Sequence, residues 1–113
     1  MAVNVAVLIE SKDAEQAQTV QYTSTGLTTI IDKFTATNHD TAAWSITVYL
    51  VPSGGSAATT NKIVASKTLQ ANETYTFPEI VGAALAAGDF IATEAPSTGG
   101  NKINIRSSGR LIS

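Results

Sequence analysis

The chain has 113 residues, a formal charge of −2, 14% charged residues, 43% hydrophobic residues and no cysteine. That length fits one domain, and the missing cysteine excludes disulfides and thiolate metal sites. Seven scattered Lys and Arg leave no electrostatic footprint for nucleic acid, and a surface this poor in charge suits contact with other protein.

The opening stretch, MAVNVAVLIESKDAEQ, lacks the cationic start and cleavage site of a signal peptide. It is too short to span a bilayer, so no membrane role is expected and it reads as part of the mature fold. "NVAVLIES" and "TVQYTS" are strand-like, with the polar "KDAEQAQ" between them as a loop or single helical turn. Residues 1–19 are therefore expected to form an N-terminal strand or arm.

"LTTIIDKFTATN" follows as a strand with Ile30, Phe34 and Ala36 in one phase. Asp32 shares that phase, which places a carboxylate at the core edge or marks a bulge. "NHDTA" has the chemistry of a hairpin loop. In "AWSITVYLV" the alternation is clear: Trp44, Ile46, Val48 and Leu50 on one face, Ser45, Thr47, Tyr49 and Val51 on the other. Pro52 and Gly54-Gly55 close that strand and open a long uncharged loop, residues 52–62.

"KIVASKTLQ" puts Ile63, Ala65 and Leu69 in phase, "ANET" turns the chain, and "TYTFPEI" sets Tyr75 and Phe77 on one side. "VGAALAAGD" has a helical flavour but is too short for a stable helix, so a turn or tight loop is expected. "DFIATEA" and "NKINIRSSGRLI" are the last strands, with Ile103 and Ile105 inward. Seven or eight short strands at turn-punctuated intervals predict one all-β domain over residues 1–113. The expected architecture is an antiparallel β-sandwich, Ig-like or jelly-roll-like. Its expected core includes Phe34, Trp44, Ile46, Val48, Leu50, Phe77, Ile103 and Ile105.

No catalytic, cofactor-binding or metal site emerges. The single histidine, His39, sits in a turn beside Asp40 and reads as a solvated turn residue. No serine lies in a nucleophile motif, and "PSGGSAATTNK" lacks Walker spacing. Asp32, Glu73, Glu79, Asp89 and Glu94 could supply carboxylate pairs, but any nine acidic residues in a small domain offer such pairs. Tyr49 and Tyr75 are the candidates for a sugar-stacking platform.

The segments "IIDKFTATN", "VYLVPSGG", "ETYTFPEIVG" and "GDFI", ending near "IRSSGR", resemble a family of small structural proteins of tailed bacteriophages, whose members mostly have no assigned role. The resemblance covers residues 20–110, and its motifs are structural rather than chemical. It implies a non-enzymatic virion protein, made in the bacterial host cytoplasm, that needs no cofactor. Capsid decoration or cementing by a homo-oligomer is the expected role, with the major capsid protein as partner. A collar, neck or tail connector, a fibre component, or a carbohydrate- or receptor-binding module are the alternatives. The expected contacts are Val3, Val5 and Val7 of the arm, adding a strand to a neighbour's sheet, and Gly54 and Gly55 of a loop held against a neighbouring subunit.

Overall fold

A computed structural model describes residues 2–113. It is all-β, a sandwich of two antiparallel sheets with no α-helix among the described residues. The strands are β1 (Val3–Asp13), β2 (Thr19–Thr23), β3 (Thr28–Asn38), β4 (Trp44–Val51), β5 (Lys62–Leu69), β6 (Thr74–Tyr75), β7 (Ala84–Leu85), β8 (Phe90–Glu94) and β9 (Ile103–Ile112). The ninth strand is the two-residue β7, inside the segment of small residues that reads as a turn or tight loop. One sheet runs β1-β9-β3-β6, with β7 also on β3; the other runs β2-β8-β4-β5.

The pairings are nested. β1 meets β9, β2 meets β8, β3 meets β6 and β7, and β4 meets β5. The chain is thus one long hairpin doubled over at residues 52–61 and rolled so that strands alternate between sheets, except for β4 and β5 at the fold-over and the short β6 and β7. Two further ladders, β3·β9 and β4·β8, close the roll. This is the strand order of a jelly roll rather than an Ig sandwich.

The core lies between the sheets. Ile31, Phe34 and Ala36 of β3 meet Ile46 and Val48 of β4, with Ile91, Ile103 and Ile105 beside them. Phe77 is fully buried and packs edge-to-face on Phe34, ring centroids 4.9 Å apart, and on Tyr75 at 4.7 Å. Its φ of 49° is costly for an aromatic residue. Burial of the ring between Phe34 and Tyr75 offsets that cost just before Pro78 turns the chain.

The structure corrects several sequence expectations and, of the two readings of Asp32, gives the bulge. In β3 the register against β9 slips between Ile31 and Lys33. The bulge turns Asp32 outward, where it accepts two hydrogen bonds from Arg110 Nε at 2.9 and 3.1 Å and one from Nη2 at 2.9 Å. Ile31, not Ile30, then shares the inward phase of Phe34 and Ala36. In β5 the ladder to β4 is irregular between the Ile46 and Val48 partners, and Ser66 has φ 47°. Val64 and Leu69 are buried while Ile63 and Ala65 are exposed.

Trp44 and Leu50 are only half-buried and pack against the margin of the core. Trp44 lies at the first position of β4, where the sandwich opens, and its Nε1–H donates to Asp40 at 2.7 Å. The other face of β4 is covered too: Tyr49 and Val51 are buried with Ala92 in a second small cluster.

"NHDTA" is not a hairpin. β3 and β4 belong to different sheets, so this segment crosses the end of the sandwich. The buried Asn38 amide holds the crossing: its Nδ2–H donates to the carbonyls of Ala42 and Leu69, and its Oδ1 accepts from the Asp40 N–H. Three bonds leave little of that amide unsatisfied, which is the condition for burying it.

Phe34→Ala is expected to cost about 3–5 kcal/mol in urea unfolding. Trp44→Ala should cost clearly less than Phe34→Ala, because Trp44 is only partly buried at the margin of the core while Phe34 is fully buried. Gly109 on β9 faces the β3 bulge, and a Cβ there would collide with the Ile30 backbone carbonyl. Gly109→Ala should therefore lower stability by about 1–3 kcal/mol in the same assay, through displaced backbone.

Candidate functional site

β1 forms one edge of its sheet, paired to β9 alone. Its register is regular from Val3 to Val7, opposite Ile112 to Ser108, and slips beyond Val7. Ala6 and Leu8 turn toward the core, and the alternate valines turn out. Val3 is 52% exposed, Val5 85% and Val7 45%, so the three make an apolar row on the outer face. Residues 2–9 contain no charge and no proline; charge begins at Glu10.

Natural sheet edges are normally blunted by charge, proline, bulges or brevity. The other edges of this molecule follow that rule. β6 and β7 are two residues each, and β2 is five residues with an internal slip. β5 carries Lys62, Lys67 and the Ser66 irregularity. Along residues 3–7, β1 has none of these protections.

The 52–62 loop is ordered by its own sheet. Ala57 packs on the Tyr49–Val51–Ala92 cluster beside Phe90. A 3₁₀ turn spans Thr59–Asn61, and the Asn61 side chain accepts from the Ala58 N–H and donates to the Ser56 carbonyl. The Ser53 N–H donates to Asp89 Oδ1, and Asp89 Oδ2 accepts from the Ala86 N–H, so one carboxylate joins two loops at the same end. Within the chain the loop thus folds back onto β4 and β8, mainly through Ala57. Gly54 and Gly55 remain exposed. Between the loop and β2 lies a cleft of about 220 Å³, walled by Val20, Ala57, Phe90 and Ala92. Sequence reading did not find this cleft, because nothing local signals that the loop doubles back.

The carboxylates that could have formed catalytic pairs each have a structural partner. Asp32 holds Arg110, Glu94 accepts from Tyr49, Glu73 accepts from the Gln70 N–H, and Glu79 accepts from Tyr75 at 2.6 Å. That last bond holds the Glu79 carboxyl below its usual range and raises the Tyr75 phenol. Among the described residues, no three His, Cys, Asp or Glu converge as metal ligands. His39 Nε2 lies 3.0 Å from Asp13 at the surface.

Both tyrosine rings already have neighbours within the chain. Tyr49 is buried with Lys62 over its ring, and Tyr75 has Lys67 over its face and Phe77 at its side. The geometry is that of a molecule whose open feature is a sheet edge. No family model, curated protein or solved structure matches the chain.

Glu15, in the connection from β1 to β2, accepts from Gln21 Nε2 and Lys12 Nζ, both at 2.9 Å. Those two bonds, Gln21 first, hold its carboxyl below the usual range. A carboxyl that is more acidic folded than unfolded contributes stability above its unfolded pKa, and that contribution fades as pH falls through the folded value. Unfolding measured from about pH 6 down to pH 3 should show stability falling with acidity. Glu15→Gln should flatten that slope while lowering stability at pH 7.

Proposed function

We propose that this protein is a non-enzymatic structural component of a tailed-phage virion, most directly a capsid decoration or cement protein acting through protein–protein contacts. The observation that carries this reading is the β1 edge. Over Val3–Val7 it is regular and uncharged, with three outward valines, on a molecule whose other described edges are short, irregular or charged. An edge of this kind recruits another strand by main-chain hydrogen bonds.

Other features agree. The jelly-roll order is one of the architectures used by viral capsid proteins, an argument from analogy of fold. The resemblance of "IIDKFTATN", "VYLVPSGG", "ETYTFPEIVG" and "GDFI" to small phage structural proteins points the same way. The mechanism would be burial of surface between its own copies and across major capsid subunits. On the order of 1,000 Å² makes such a contact specific.

A collar, neck or tail position uses the same surfaces at lower copy number. A glycan-binding role is less favoured, because Tyr49 is buried and Tyr75 already carries Lys67 over its ring.

The deciding measurement is the number of copies per purified virion of the encoding phage, by quantitative mass spectrometry against the major capsid protein. Near-equal stoichiometry is the expected result. A handful of copies would move the protein to the collar or tail, and absence from the particle would overturn the virion reading.

A further inference from the structure

We infer that two copies of this chain pair β1 to β1 across a two-fold axis at Val5, joining their sheets into one. The inference rests on the proposed reading only in taking β1 as a self-contact. Its occupant follows from the edges. A different edge of another copy would have to be long, regular and uncharged, and β2, β5, β6 and β7 are not. What complements β1 on this molecule is β1 itself, and a surface that complements itself gives a closed isologous dimer.

The axis position follows from the register. The regular stretch runs Val3–Val7, and its midpoint is Val5, the most exposed of the valines. Antiparallel pairing there sets Val5 opposite Val5 of the second copy, Val3 opposite Val7 and Asn4 opposite Ala6. Glu10, Lys12 and Asp13 fall outside the overlap, so no like charges meet. Six valines then become cross-strand neighbours on one outer face, about 5 Å apart where directly opposed. The contact is a short strand edge, well under the ~1,200 Å² of a standard interface. Association should therefore be weak and concentration-dependent.

Charge placement tests the register. Positions 3 and 7 of one strand are about 13 Å apart along β1, so charges introduced there scarcely interact within one chain. Across the proposed axis they are direct partners. Val3→Lys/Val7→Lys opposes like charges twice, whereas Val3→Lys/Val7→Glu opposes unlike charges twice. Both variants keep Val5 and change only outward side chains, and far-UV circular dichroism checks that each folds.

Sedimentation equilibrium over a concentration series should show a monomer–dimer equilibrium for the native chain. The double-lysine variant should weaken it by roughly tenfold or more, and the Lys/Glu variant should restore it to within a few-fold. A native chain that stays monomeric at all concentrations, or forms a trimer or ring, overturns the inference. Equal behaviour of the two variants also overturns it, since the contact then lies elsewhere. A monomer found at high copy in virions would sink this pairing while leaving the decoration reading intact.

Discussion

β9 lies between β1 and β3 and hydrogen-bonds to both along most of its length. That double ladder is the contact on which the rest of the molecule depends. It brings the two ends of the chain together, to the point that the Ser113 N–H donates to the Ala2 carbonyl. With the ends closed, every intervening strand must find its partner inside the fold-over, and the nested order of pairings follows. The cost is entropic, because the closing contacts are distant in sequence and must form before they are rewarded. Gly109 belongs to the same constraint. It lets β9 pass the β3 bulge closely enough for both ladders to continue.

The two sheets are tied by more than apolar packing. Tyr22 of β2 shares a hydrogen bond with Thr29 of β3, and Thr29 another with Ser24, whose hydroxyl also bonds the Leu27 carbonyl. At the other end Gln21 spans Glu15 and Thr93. Among the described residues, no buried side-chain nitrogen or oxygen is left without a partner. Satisfied networks of this kind specify one arrangement of the sheets, since any slip would strand several polar groups. A chain with no cysteine gains its cross-links here.

The same economy of charge has two consequences. Where carboxylates occur they are used locally: Asp89 joins two loops, Asp32 fixes Arg110 over the bulge, and Glu15 secures the first crossing between sheets. Along Val3–Ile9 of the β1 edge, charge is withheld altogether. An isolated domain would gain solubility from a lysine there, and an assembling one would lose its contact. That choice is the link from composition to the proposed role, which needs surface and order but no reacting group.

The all-β class and most strand positions were legible in the sequence, because alternation such as that of Ile46 and Val48 and punctuation such as Pro52 and Gly54-Gly55 are local. Asn72 in "ANET" turns the chain with a positive φ, as its side chain permits. The valines at 3, 5 and 7 could be placed on one face of a strand from their alternation, and the structure shows that face exposed. That β1 is an edge could not be read in the same way, since edge status depends on which strands fail to pair with it. Phase also failed wherever a bulge intervened, at Asp32 and Ser66. One extra residue shifts the phase of its neighbours; the carboxylate of Asp32 in an apolar phase signalled the first as one of two alternatives, and nothing local signalled the second. The choice between jelly roll and Ig-like sandwich, the crossing at "NHDTA" and the return of the 52–62 loop onto Tyr49 were decided only in three dimensions. Each depends on which distant strand satisfies a given row of backbone hydrogen bonds, and that is a property of the whole chain rather than of any segment.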